Sequence, residues 1–282
     1  MTTYVFPGQG SQTRGMGELL FVEFSDLVKQ ADTILGYSIG TLCLEDPHEQ
    51  LNKTEFTQPA LYIVNALSYL KKYNATKTKP DYIAGHSLGE YNALFAAGVF
   101  DFVTGLKLVQ KRGQLMSQAV DGGMAAIVGL KSENIQTLLQ ENNLSNVVIA
   151  NYNSYTQVVI SGPKQSIQTA EPIFKHAGAK LYIPLKVSGA FHSPLMNPAQ
   201  QQFSEFLAGF IFSEPSIPVI ANINAKPYTF TNIHTHLANQ INHSVQWTQS
   251  IEYILMQGET YFEEIGPGKV LAGLITRIQK GQ

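Results

Sequence analysis

Short apolar runs bounded by turn residues alternate with helically spaced apolar positions through the first part of the chain. Tyr4-Val5-Phe6 predicts a buried strand that runs into the turn-rich Pro7-Gly8-Gln9-Gly10-Ser11-Gln12. Leu20, Phe24, Leu27, Val28, Ala31 and Leu35 recur at helical spacing, and Gly36 is a natural stop for that helix. Thr57-Gln58-Pro59 predicts the start of another helix, with Pro59 near its first position and Leu61, Val64, Leu67 and Leu70 on its apolar face. Tyr82-Ile83-Ala84 predicts a strand, followed by Gly85-His86-Ser87-Leu88-Gly89-Glu90 and an Ala-rich helix to about Ala97. A further helix is expected from Phe102 to Ala119. This alternation predicts an α/β protein with a mostly parallel sheet and helices on both faces.

The pattern changes near Gly122-Gly123. Strands are expected over Met124–Leu130, Val147–Asn151, Gln157–Ser161 and Lys180–Val187, with helices over Ser132–Asn142 and Lys164–Ala177. That βαββαβ order is the ferredoxin-like arrangement. A small unit spanning 123–189 is therefore expected inside a large one built from 1–122 and 190–282. After Gly189 the α/β pattern resumes. Helices are expected near Asn197–Gly209, Ile233–Ile241 and Val245–Gln257, strands over Val219–Ile223 and Tyr261–Ile265, and a last helix after Gly266-Pro267-Gly268-Lys269.

A chain of 282 residues accommodates one large domain with such an insert. Its 19 Lys and Arg against 21 Asp and Glu leave a net charge of −2, with no basic excess for a nucleic-acid partner. Hydrophobic residues at 44% and charged ones at 14% predict a folded core rather than a disordered tail. The single cysteine, Cys43, rules out an internal disulfide and a multi-cysteine metal site, and fits a reducing compartment. The start MTTYVFPGQG lacks the basic flank and long apolar run of a signal peptide. No stretch reaches the ~20 apolar residues that span a bilayer. The expectation is a cytoplasmic protein without a membrane partner.

Gly85-His86-Ser87-Leu88-Gly89 matches G-x-S-x-G between a predicted strand and a predicted helix, the context a nucleophile elbow requires. A nucleophilic serine needs a base. His86 adjoins Ser87, but neighbouring side chains diverge at such a turn, so it is expected to fill space or bond backbone. His234-x-His236 has no nearby Cys, Asp or Glu to complete a metal set, and no metal site is expected. His192, where the chain returns from the small unit, is poised between a base and a structural histidine. No acidic residue has an obvious claim to orient it, so a backbone carbonyl is a candidate. The Pro7–Gly10 loop should reach the same sheet edge as Ser87 and supply an oxyanion donor. It lacks the third Gly of a dinucleotide fingerprint, and Val270 stands where a Walker loop requires Ser or Thr. Arg112 lies in an otherwise apolar helical stretch. Position alone favours a surface or salt-bridged arginine there, against a guanidinium awaiting a carboxylate.

FPGQGSQ at 6–12, TQPALY at 57–62, GHSLGE at 85–90, KRGQLM at 111–116, NSYTQVVISG at 153–162, GAFHS at 189–193, VQW at 245–247 and EIGPGKVL at 264–271 occur together and in order. Jointly they resemble the malonyl-CoA:acyl-carrier-protein transacylase family across essentially the whole chain. The resemblance implies a hydrolase-like α/β core with an inserted ferredoxin-like subdomain. It implies Ser87 as nucleophile, His192 as general base, and the N–H groups of Gln9 and Leu88 as the oxyanion hole. Arg112 would bind the malonyl carboxylate, and the main-chain carbonyl of Gln240 would orient His192. Phe191 beside the base resembles the malonyl-selective variant, since its bulk leaves little room for a C2 substituent.

The implied reaction is a ping-pong transfer from malonyl-CoA to the phosphopantetheine thiol of an acyl carrier protein. It implies no metal and no cofactor of its own, and a monomer suffices for it. The segments Ala31–Ile39 and Tyr62–Lys71 and the early C-terminus look more like discrete trans-acting members, which load carrier domains of polyketide synthases, than like housekeeping members of fatty-acid synthesis. Two rivals stand beside this reading. An acyl hydrolase of this scaffold shares the Ser and His but lacks the carboxylate-binding Arg, and a non-enzymatic interaction module would have lost the chemistry.

Overall fold

In the computed structural model, which describes residues 2–281, the strands are Thr3–Phe6 (β1), Tyr82–Gly85 (β2), Gly122–Val128 (β3), Val148–Ser154 (β4), Gln157–Pro163 (β5), Leu181–Pro184 (β6), Val219–Ile220 (β7) and Phe262–Glu264 (β8). They form two sheets. One has the order β7-β2-β1-β8 with every pairing parallel. The other has the order β4-β5-β3-β6 with every pairing antiparallel.

The parallel sheet is covered on both faces, which is why β1 is buried at every position. Successive residues of a strand point to opposite faces. Phe6 accordingly joins the main core with Leu61, Ile63, Leu94 and Leu106. Val5 joins a second cluster with Ala84, Ile220, Trp247, Ile251 and Leu271. Because all four strands run the same way, the loops that follow them gather at one edge. These are Pro7–Gly10 after β1, His86–Gly89 after β2, Ala221–Asn222 after β7 and Gly266–Gly268 after β8. Such an edge is where open α/β sheets place their chemistry.

The antiparallel sheet carries helices Ser132–Glu141 and Lys164–His176. Ala125, Ile127, Ile135, Leu139, Val158, Ile160, Ile167 and Phe174 close a separate core between them. Val159 instead packs with the main core. A parallel bridge from Asn151 to Val245 ties the sheet to the rest of the molecule.

Several elements depart from expectation. The first helix is two, Glu18–Glu23 and Ser25–Leu35, because Phe24 leaves helical geometry at φ −113°, ψ 39°. Its stop at Gly36 is as expected, with φ +79° and the N–H on the Asp32 carbonyl. Helix Ile39–Leu44, capped by Ser38, was not anticipated. Pro59 lies inside helix Thr54–Thr76 rather than at its start. The helix begins earlier because Phe56 packs on Tyr37, at 5.3 Å between ring centroids. Proline so near the N-terminus forfeits only one helical hydrogen bond. β7 and β6 end before Ile223 and Val187. Ala221 turns back to the Lys226 carbonyl. Leu185 still donates to the Met124 carbonyl of β3, and with Val187 it lines the cavity beside Ser87.

Candidate active site

The turn after β2 holds Ser87 at φ +50°, a left-handed conformation that non-glycine residues seldom adopt. Only glycines fit on either side of it. A Cβ on Gly85 would lie 2.0 Å from the Gly89 carbonyl carbon, and one on Gly89 would lie 2.0 Å from the Phe6 oxygen. So sharp a turn leaves backbone groups without partners. The Asn222 side chain supplies both: its Nδ2 donates to the Gly85 carbonyl at 2.7 Å, and its Oδ1 accepts from the Ser87 N–H at 2.7 Å.

The Ser87 hydroxyl faces His192 Nε2 at 2.8 Å. On the other side of the ring, Nδ1 faces two carbonyls, Gln240 at 2.8 Å and His243 at 3.1 Å. Carbonyls only accept, so Nδ1 carries the hydrogen and Nε2 presents its lone pair to the serine. The ring is buried. Burial first, and the Arg112 charge second, push its pKa down to about 3, which keeps it a neutral base.

Arg112 is 1% exposed. Nη1 donates to Gln58 Oε1 at 2.7 Å, and Nη2 donates to Gln240 Oε1 at 2.8 Å and Ser87 Oγ at 3.1 Å. Among the described residues its Nε has no hydrogen-bond partner. Among the described residues none of the ion pairs involves Arg112. The surface and salt-bridged placements that position alone favours are therefore both wrong: amides, not a carboxylate, hold this guanidinium beside the serine.

The Pro7–Gly10 loop lies against the elbow. A Cβ on Gly8 would meet the His86 oxygen at 2.3 Å and the Leu88 nitrogen at 3.6 Å. Gln9 and Leu88 thereby line one cavity of about 90 Å³ with Ser87, Arg112, Phe191 and His192. Gln58, His86, Met116, Met124, Asn151, Leu185 and Val187 complete its walls. Among the described residues neither the Gln9 nor the Leu88 N–H donates to an acceptor in the chain. Wider depressions of about 520 Å³ border the antiparallel sheet, but they hold none of these converging groups.

Every residue singled out as nucleophile, base, oxyanion donor, orienter or acyl contact thus borders this one cavity or bonds to a residue that does. His86 borders the cavity too, but its ring is engaged otherwise: Nε2 bonds Asn153 Oδ1 at 2.8 Å, and the ring packs on Trp247. His234 bonds the Phe210 carbonyl and His236 packs on Tyr228. Four participants escaped sequence reading. Gln58, Asn222 and the His243 carbonyl carry no local signal. Glu90 does, as a lone carboxylate in an apolar helix. It is fully buried, accepting from the Tyr228 hydroxyl, from Gln240 Nε2 at 2.6 Å and from the Asn222 N–H at 3.3 Å.

Comparison with known proteins places the chain in a family. The family model described as "Acyl transferase domain" matches residues 3–280. The chain is 60% identical over 281 residues to the polyketide biosynthesis malonyl CoA-acyl carrier protein transacylase PksC of Bacillus subtilis, covering 99% of this chain and 98% of that protein. It superposes with a TM-score of 0.97 on malonyl CoA-acyl carrier protein transacylase from Burkholderia pseudomallei, at 50% identity over 100% and 99% of the two chains. A TM-score of 0.94 at 40% identity relates it to PlMCAT, solved with the type II PKS acyl-carrier protein AntF, over 99% and 93% of the chains.

Proposed function

The chain belongs to the acyl transferase domain family, and from that premise we propose that it transfers the malonyl group of malonyl-CoA to the phosphopantetheine thiol of an acyl carrier protein. Its likeness to the Bacillus subtilis protein extends the proposal to polyketide biosynthesis, with carrier domains served in trans. The observation that carries this reading is Arg112, a buried guanidinium that among the described residues touches no carboxylate, 3.1 Å from the serine hydroxyl. A buried cation of that kind is a receptor for an anionic acyl group.

His192 Nε2 takes the Ser87 proton as the oxygen attacks the thioester. The N–H groups of Gln9 and Leu88 hold the tetrahedral oxyanion, and one such donor is worth ~2.7–4 kcal/mol in comparable sites. His192 then protonates the departing CoA thiol. The carrier's thiol reverses the steps, with His192 again as base, in a ping-pong cycle. The Gln240 carbonyl fixes the imidazole tautomer. Phe191 limits substitution at C2. The chemistry uses no metal or prosthetic group of the enzyme's own, and the phosphopantetheine belongs to the partner.

In the same reading, residues 1–122 and 190–282 form a hydrolase-like core and residues 123–189 a ferredoxin-like insert. The strand order β4-β5-β3-β6 supports that description. Among the described residues no helix is long and apolar enough to cross a membrane. A cytoplasmic location suits the substrate.

Intact-protein mass spectrometry after brief exposure to malonyl-CoA is the test. The expected result is one malonyl adduct that passes to added carrier protein and is missing in Ser87→Ala. Turnover of long acyl thioesters to free acid, without a malonyl adduct, would mean a hydrolase.

A further inference from the structure

We propose that Glu90 is a positioning residue for the anionic acyl group: it is the counter-ion of Arg112 through the Gln240 side-chain amide, and it takes up a proton when an acyl carboxylate arrives. The inference rests on the malonyl-transfer reading. Gln240 joins the two charges directly. Its Nε2 donates to Glu90 Oε2 at 2.6 Å and to the Ser87 carbonyl at 2.8 Å, while its Oε1 accepts from Arg112 Nη2 at 2.8 Å. A carboxylate, an amide and a guanidinium thus stand in a row beneath the nucleophile. Each sets the orientation of the next, because an inverted amide would turn its NH2 onto the guanidinium.

Glu90 itself keeps hydrogen-bond partners in either state. The ionised carboxylate accepts from the Tyr228 hydroxyl, Gln240 Nε2 and the Asn222 N–H. The neutral acid donates to Tyr228 Oη, since a phenol oxygen also accepts, and keeps its other oxygen on Gln240. Among the described residues Arg112 is the charged group facing Glu90, and the phenols of Tyr228 and Tyr91 are its titratable neighbours. His236 lies behind Tyr228. Burial pushes the Glu90 carboxyl up to about 7 against the pull of these donors.

The sign follows from counting charge in a dry site. With Glu90 ionised, Arg112 and Glu90 cancel, and a malonyl carboxylate brings a net −1. With Glu90 neutral, the carboxylate and guanidinium cancel instead. Malonyl loading is therefore favoured below the Glu90 pKa and draws one proton from the buffer above it, a reciprocal linkage. His192 titrates far lower, so it contributes no limb near neutrality.

The experiment follows kcat/KM for malonyl-enzyme formation against pH in wild type, Glu90→Gln and Tyr228→Phe. Wild type should lose about fivefold or more between about pH 6 and about pH 8.5. Glu90→Gln, whose amide reproduces the hydrogen bonds of the neutral acid, should be flat. Tyr228→Phe removes a donor to the carboxylate, so its falling limb should move to higher pH. A flat wild-type profile, or an unchanged limb in Glu90→Gln, overturns the linkage and leaves malonyl transfer standing. If Glu90→Gln does not fold, a Tyr228→Phe limb that stays in place or moves to lower pH overturns it equally. No malonyl adduct at any pH overturns both readings.

Discussion

At the scale of the residue, the proposed selectivity rests on two side chains that act differently. In that reading Arg112 attracts and Phe191 excludes. Arg112→Ala would delete the two charge-assisted bonds proposed to the acyl carboxylate, each worth ~1.5–3 kcal/mol. The kcat/KM for malonyl-CoA should fall roughly a hundredfold or more, with preference moving toward uncharged acyl groups. Competition between malonyl- and acetyl-CoA measures it, and an unchanged ratio would contradict the role. Phe191→Ser opens the wall beside the base and should raise methylmalonyl use relative to malonyl by ~1–3 kcal/mol. Paired single-turnover assays would read that change. Ser87 was legible because an elbow motif is local: two glycines, a strand before and a helix after. Arg112 was legible only by resemblance, since its burial depends on Gln58 and Gln240, 54 and 128 residues away in the chain.

At the scale of the element, the elbow depends on a residue outside it. Asn222 holds both backbone ends of the turn. Asn222→Ala should leave a buried donor and a buried acceptor unpaired, at ~1–3 kcal/mol for such a loss. Denaturant midpoints would show the destabilisation, and slower acylation of Ser87 would show the relaxed nucleophile. Wild-type values for both would mean that the glycines alone hold the turn. Nothing in Val219–Asn222 announces this partnership, because it forms across a parallel sheet. Element types were mostly legible, since periodicity is a local property. The boundaries that failed were set by tertiary contacts. Phe56 on Tyr37 extended a helix past its proline, and β6 ended ahead of Leu185 and Val187, which wall a cavity.

At the scale of the molecule, separate cores mean separable stabilities. Phe174 is fully buried in the small core, and Phe174→Ala should cost ~3–5 kcal/mol there. The Ser87–His192 pair should keep its geometry in whatever fraction stays folded. Chemical denaturation alongside active-site titration would separate the two effects, and a loss of nucleophile reactivity without loss of stability would refute the separation. Two sheets were visible in the sequence because the strand–helix order changed at Gly122. Their joining was not, because bridges such as Asn151 to Val245 link distant segments. The chain leaves the parallel-sheet unit after the helix that carries Arg112 and returns immediately before His192. In the proposed division, Ser87, Arg112, His192 and Gln240 all belong to one unit, while Met124, Asn151, Leu185 and Val187 of the other only wall the cavity. The workbench and its doorway are thus made from different stretches of chain. Evolution or an engineer can refit the doorway for another visitor without touching the tools inside.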